Sequence, residues 1–270
     1  MKHARPLIAL MTDFGHQDPY VGIMKGVIAG ISPSSSVIDL THGIQAQNVL
    51  QGAVQLGVSL RYFPEGTVFV SVVDPGVGTA RKPLCVVSEK RYFIAPDNGL
   101  LTKLLDSSTF EACVAITNPD CMLPLQSGTF HGRDVFAPAA AHLANGIDPS
   151  HLGKTLNPDR CVRIPLPENS SPDGGRSWYG KILFADVYGN MVTSLTDDLL
   201  ENGRAAGITT ENGIFLPFHR TYGDVNEGEG LSYRGSGGFL EIAVRNGNAA
   251  SDLGLQPGEN VVLTLEPADK

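Results

Sequence analysis

Three short stretches hold residue types able to do chemistry, and each sits at the edge of an apolar run. The first, Thr12-Asp13-Phe14-Gly15-His16-Gln17-Asp18, follows the apolar segment Pro6 to Met11 directly. A carboxylate there can accept both hydroxyls of a ribose, since its two oxygens match a vicinal diol. The same aspartate could instead cap a helix or turn. The second, Val72-Val73-Asp74-Pro75-Gly76-Val77-Gly78-Thr79-Ala80-Arg81, closes the most β-branched run of the chain. Its glycines let the backbone approach a ligand, and Asp74 and Arg81 meet if the loop folds back. It lacks both the Lys-Ser/Thr ending of a P-loop and the GxGxxG spacing. A structural Asp–Arg pair holding a tight loop is the plainer alternative. The third, Ser127-Gly128-Thr129-Phe130-His131-Gly132-Arg133-Asp134, leads into an alanine-rich run, with Asp134 placed to cap a helix. By residue type alone these clusters describe an α/β enzyme that binds something polar with Asp, Arg and His.

The elements that must position them follow from periodicity. Pro6 to Met11, Val37 to Leu40 and Thr67 to Val73 read as strands, and Leu84 to Ser88 with Arg91 to Ala95 as a hairpin. Apolar residues at helical spacing predict helices over 20–31, 49–62, 99–105 and 134–143. Polar clusters at strand ends are where α/β sheets place their sites. Residues 148–177 contain five prolines and the run Asn169 to Gly175, the composition of a linker. Short strands between glycine-rich turns follow, over 180–186, 213–216, 238–245 and 260–265, as in a small β-barrel or sandwich. The expected organisation is an α/β sandwich-like domain over 1–150, a linker over 151–177 and an all-β barrel over 178–270.

Composition narrows the function classes. The apolar fraction is 42% and the charged fraction 18%, with a formal net charge of -8. Those values fit a globular chain and disfavour nucleic acid, which demands clustered Lys and Arg. No run approaches the ~20 apolar residues of a membrane span. Leu7 to Met11 is too short for a signal-peptide core, so the expectation is a cytoplasmic protein. Cys85, Cys113, Cys121 and Cys161 form no CxxC pair and no zinc-type spacing, and read as reduced, buried thiols.

Six blocks, MTDFG, VVDPGVGTAR, APDNG, TFHGRDVFAPAAAHLA, DVYGN and SGGFLEIAV, occur in this order between Thr12 and Gly247 or beside them. Together they resemble the S-adenosylmethionine (SAM) hydrolases, or SAM hydroxide adenosyltransferases, the water-using relatives of fluorinases and chlorinases. The resemblance implies an N-terminal α/β domain, a C-terminal β-barrel and a homotrimer holding substrate between neighbouring subunits. It implies Asp74, Arg81 and His131 as the catalytic set and Asp13 as the holder of the ribose diol. Asp18 falls where a carboxylate meets the amino-acid end of the substrate. Asp186 and Asn190 match residues near methionine and adenine, and Tyr222 an aromatic that stacks on the base. Ser236 matches a hydroxyl at the methionine carboxylate, and the backbone from Val244 to Asn246 is expected along the adenine edge.

Departures from the halogenases sharpen the expectation. Those enzymes resemble one another in a tyrosine where this chain has Asp74. The fluorinase has an arginine at Gly237 and a serine at Gly132. Gly132 is shared with the chlorinase pattern, so it is Asp74 with His131 that separates hydrolase from halogenase. A carboxylate beside the attack position repels a halide but orients water, which needs an acceptor. The implied reaction is displacement at ribose C5′ by water, giving adenosine and L-methionine with no metal or cofactor. Arg81 beside Asp74 favours the charged carboxylate and weakens it as a base, whereas His131 is better matched to neutral pH. The base is open between them. A halide-using enzyme and a SAM- or adenosine-binding sensor are the two alternatives.

Overall fold

The computed structural model describes residues 5–107, 109–124 and 127–266. The chain divides after Ile164 into two compact units, inside the proline-rich stretch. In the first unit the chain runs β1 (Leu7–Thr12), α1 (Tyr20–Ile31), β2 (Ser36–Thr41), α2 (Val49–Ser59), β3 (Val68–Val72), β4 (Pro83–Ser88), β5 (Arg91–Pro96), α3 (Thr102–Leu105), β6 (Phe110–Ile116), α4 (Ala137–Ala144) and β7 (Gly153–Thr155). The seven strands form one mixed sheet in the order β2-β1-β3-β5-β4-β6-β7. Its β2, β1, β3 and β5 are parallel, and β4, β6 and β7 add antiparallel pairings.

The core strands of this sheet are buried on both faces, which is why β1 and β3 read as unbroken apolar runs. One face is covered by α1, α4 and the turn that leads into α4, through Met24, Ile28, Phe136 and Ala139 to Ala141. The small alanines let α4 lie close to the sheet. The other face is covered by α2 and α3 through Leu56, Leu101, Leu104 and Leu105. The expected sandwich is therefore observed. Two strands lie outside the sequence expectation: β6, and β7, which falls within the segment read as a linker and pairs with β6. The helix expected over 49–62 ends at Ser59 and tightens into a 3₁₀ turn over Leu60–Tyr62.

The second unit holds β8 (Ser177–Ala185), β9 (Met191–Thr196), β10 (Ala205–Thr210), β11 (Phe215–Pro217), β12 (Gly230–Arg234), β13 (Phe239–Val244), a short α5 (Ala249–Asp252) and β14 (Asn260–Leu265). All pair antiparallel, in the order β11-β10-β14-β8-β9-β13-β12. The two end strands approach each other: Phe218 bridges Ser232, and Ser232 Oγ donates to the Leu216 carbonyl at 2.9 Å. The result is the expected barrel, nearly closed, around Ile182, Met191, Leu195, Ile242, Val261 and Leu263. Among the described residues no helix is long and apolar enough to cross a membrane.

Candidate active site

β1 and β3 lie side by side in parallel with Thr12 opposite Val72, so the loops after them leave the same sheet edge together. The chain passes from β1 to β2 on one side and returns to β3 on the other. This reversal is the switch point at which open α/β sheets form a crevice. The third loop arrives from residues 127–136, whose last five residues form a π-helical turn over Gly132–Phe136, closed by the Ala137 N–H on the Gly132 carbonyl. Such wide turns recur at functional sites. Asp134 is no helix cap. It is 1% exposed within this turn, and Arg133 donates to it from Nε at 2.6 Å and Nη2 at 2.8 Å. A cap needs a non-helical backbone, whereas His131 and Ala137, on either side, are both right-handed helical.

The structure brings Asp74, Arg81 and His131 together. Arg81 grips Asp74 in a two-pronged pair, Nε donating to Oδ1 at 3.0 Å and Nη2 to Oδ2. Arg81 Nη2 also lies 2.8 Å from His131 Nδ1. The guanidinium rests over the Phe136 ring, 5.3 Å from its centroid. Loop geometry makes this possible. Gly78 has φ +80°, and a β-carbon on it would stand 3.2 Å from the Gly128 carbonyl oxygen. The aspartate and histidine loops thus touch backbone to backbone.

A guanidinium has only donors, so Nδ1 of His131 is the acceptor and the ring's proton sits on Nε2. Burial, and then the Arg81 charge, hold the imidazole pKa below its usual value. His131 is accordingly a neutral donor whose single lone pair is already engaged.

Asp13, Asp74 and His131 line a cleft of about 400 Å³. The Gln47 N–H donates to Asp13 Oδ2 at 2.8 Å, from a backbone at φ +66°. Below it, Thr12 Oγ1 meets His42 Nδ1 at 2.8 Å. His42 Nε2 stands 3.0 Å from Asp39 Oδ1, off the line of a hydrogen bond. Burial pushes the His42 pKa down against the pull of Asp39. The cleft also has a wall that the sequence reading missed. Phe14, Tyr20 and Phe130 meet edge to face with centroids 5.3 to 6.2 Å apart. Two of the three sit inside recognised blocks, and that position was the available signal. Asp18 lies in the exposed turn before α1 and does not line the cleft.

In the barrel unit, Asp186, Asn190 and Tyr222 form one hydrogen-bonded group. Asn190 Nδ2 donates to Asp186 Oδ2 at 2.9 Å and to Tyr222 Oη at 3.2 Å. Ser236 is exposed in the turn between β12 and β13. The Val244 carbonyl accepts from Gly247, Arg245 pairs with the 228–229 backbone, and Asn246, at φ +54°, donates from Nδ2 to Glu227 at 2.6 Å. Much of the polar backbone expected along the adenine edge is therefore engaged internally.

Among the described residues no group of three or more His, Cys, Asp or Glu is arranged to hold a metal. All four cysteines are free and buried. Burial pushes the Cys85 thiol up to about 12, and Cys113 and Cys161 face each other at 3.7 Å.

A parallel-sheet crevice carrying an Asp–Arg–His set, joined in one chain to an antiparallel barrel, defines a two-unit class of α/β protein. Residues 8–153 match the SAM hydroxide adenosyltransferase N-terminal domain and residues 180–262 its C-terminal domain. The chain belongs to this family. It is 40% identical to an (R)-S-adenosyl-L-methionine hydrolase of Thermus thermophilus, over 95% of this chain and 98% of that one. A hydrolase of the same name from Salinispora arenicola is 37% identical over 96% and 98%. A fluorinase of Actinopolyspora mzabensis is 30% identical over 97% and 98%. In structure the chain resembles an uncharacterized conserved protein of Thermotoga maritima, with TM-score 0.87 and 33% identity over 95% of this chain and 99% of that one. A conserved hypothetical protein of Thermus thermophilus superposes with TM-score 0.77 and 38% identity over 96% and 100%.

Proposed function

We propose that this chain hydrolyses S-adenosyl-L-methionine to adenosine and L-methionine by direct attack of water on ribose C5′. Relatives at 37–40% identity carry the hydrolase name, while one at 30% is a fluorinase, so kinship alone does not choose the nucleophile. The observation that supports water is the carboxylate of Asp74 on the cleft wall, clamped by Arg81. A halide gains nothing beside a carboxylate, whereas water donates to it. In this reading the water gives one hydrogen to Asp74 and accepts from His131 Nε2–H, leaving a lone pair for C5′. The C5′–O bond forms, the C5′–S bond breaks with its electron pair going to sulfur, and the water proton leaves through Asp74. His131 is not the base, because its lone pair is held by Arg81. Alignment supplies part of the acceleration.

The named hydrolases act on the (R) form, and the same hand at sulfur is proposed here. Incubation in ¹⁸O water with each sulfonium epimer, with and without chloride, tests the reading. Labelled adenosine 5′-oxygen and methionine from the (R) epimer are expected. A chlorinated nucleoside would place the chain with the halogenases, and binding without turnover would make it a sensor.

Residues assigned to substrate occur in both compact units, and a homotrimer sharing its sites between subunits goes with this reading, as does a cytoplasmic location. Light scattering should give three times the 28.7 kDa chain mass. A monomer of full activity would remove the shared-site proposal.

A further inference from the structure

One corner of the barrel unit runs against its overall charge. From Pro165 onward acidic residues outnumber basic ones by fifteen to seven. Yet three of those seven basic residues, Arg204, Arg220 and Arg234, line a single cavity. His219 lines it too, and none of its described lining residues is acidic. Its volume is about 580 Å³, against about 400 Å³ for the cleft at Asp74.

The backbone holds these side chains in a common frame. Arg204 immediately precedes β10, Arg234 ends β12, and His219 and Arg220 follow β11. The three strands meet at the seam of the barrel. There the Phe218 N–H donates to the Ala206 carbonyl of β10, and the His219 N–H to the Ser232 carbonyl of β12, both at 2.9 Å. The segment that carries Arg220 is therefore stitched to β10 and β12, and the Arg220 N–H is fixed on Asp224 Oδ2 at 3.1 Å. Leu200, from the 3₁₀ turn over Asp197–Asn202, and Phe218 give the cavity an apolar share.

The guanidinium groups are largely unspent. Arg204 Nε lies 3.7 Å from Glu266 Oε2, and Arg234 Nε lies 3.6 Å from Asp197 Oδ2. Charge-assisted hydrogen bonds run to about 2.7–2.9 Å, and exposed pairs as loose as these contribute little. Among the described residues the Arg220 guanidinium has no hydrogen-bond or ion-pair partner. Like charges gathered in one cavity repel one another. An anion entering it relieves that repulsion and takes up donors that no protein group uses.

We infer that this cavity is a second ligand site, for a small molecule carrying a diphosphate or triphosphate group. Planar guanidinium forks match phosphate oxygens two at a time, and linked phosphates can reach arginines on separate elements. Ligand pockets commonly span about 300–1,000 Å³, so this one also has room for an organic group against Phe218 and Leu200. The inference stands apart from the hydrolase reading, because the cavity shares no residue with the Asp74 cleft or with Asp186, Asn190 and Tyr222.

The test is calorimetry on the full-length protein with tripolyphosphate and with UTP, in metal-free buffer at near-physiological salt, where diffuse attraction is screened. Tripolyphosphate is expected to bind once per chain. Loss of a charge-assisted contact in Arg220→Gln should weaken it about tenfold, and the double variant Arg204→Gln, Arg234→Gln at least as much. Lys181→Gln removes one charge from an exposed position on β8, outside the cavity, and should leave binding unchanged. All three arginines are exposed, so the variants should melt with the wild type, and a lost signal then reports contact rather than unfolding. UTP bound more tightly than tripolyphosphate assigns the site to an organic phosphate ester, and equal affinity assigns it to inorganic polyphosphate. A wild type that binds neither probe, or arginine variants that bind as the wild type does, overturns the inference. An equal loss in Lys181→Gln also overturns it, because the attraction would then follow net charge and not this cavity.

Discussion

At the scale of single residues, the Asp74–Arg81 pair is nearly dry, with side chains 6% and 7% exposed. Removing one partner of a buried pair strands the other charge and costs about 3–5 kcal/mol. Asp74→Ala is therefore expected to lower the denaturant midpoint by that order and to abolish turnover. Asp74→Asn keeps the volume and one acceptor oxygen, so its stability loss should be smaller while turnover still falls about 10²–10⁴-fold. Near-wild-type turnover in the asparagine variant would show that the carboxylate does not handle the water. His131 carries a second prediction. Its folded-state pKa is depressed from 6.5, so between the folded and unfolded values the unfolded chain binds more protons. Stability then rises with pH through that window: it is complete above about pH 6.5 and is lost as pH falls through the folded value. His42 shifts in the same direction. Melting temperature should fall on acidification below about pH 6.5, less steeply in His131→Asn. An identical pH slope in the variant would exclude His131 as a source.

At the scale of elements, the site depends on two loops held in contact. Gly78→Ala meets a left-handed backbone at φ +80° and an unyielding carbonyl at 3.2 Å. Strain of about 1–3 kcal/mol is expected, together with a larger drop in kcat than in substrate affinity, because the Asp74 loop is pushed from His131. Equal kcat in Gly78→Ala would mean that the loops do not register each other. This dependence also explains what was legible in the sequence. β1, β3 and the hairpin of β4 and β5 announce themselves through dense apolar or β-branched runs, and the polar clusters at their ends pointed to Asp13, Asp74 and Arg81. β6, Phe-Glu-Ala-Cys-Val-Ala-Ile, holds two alanines and a glutamate and has no such signature. β7 is three residues in a proline-rich stretch, and β9, β10 and β12 are short strands beside glycines, so pairing rather than local preference makes them strands. The aromatic wall was invisible for a different reason. Tyr20 opens α1, and only the folding of the 127–136 loop against it puts Phe130 within 5.3 Å. Asp134 reads as a cap on spacing, but the π-helical turn absorbs it and Arg133 neutralises it.

At the scale of the whole molecule, charge is unevenly shared along the chain. Up to Ile164 there are thirteen acidic and thirteen basic residues, whereas from Pro165 there are fifteen acidic and seven basic. The barrel unit thus supplies the whole of the net charge of -8. An acidic surface raises the local concentration of a cation and speeds its encounter, and SAM carries one net positive charge through its sulfonium. The effect acts on capture, before chemistry, so kcat/KM should fall severalfold as salt rises from about 10 mM to about 500 mM, while kcat stays level. Over that range the screening length shrinks from about 30 Å to a few ångströms. Adenosine provides the control, since a neutral nucleoside feels no such steering and its dissociation constant should not move. If adenosine affinity weakens in parallel, salt is acting on the fold. If kcat/KM for SAM is flat, the acidity of the barrel unit has no part in capturing the substrate.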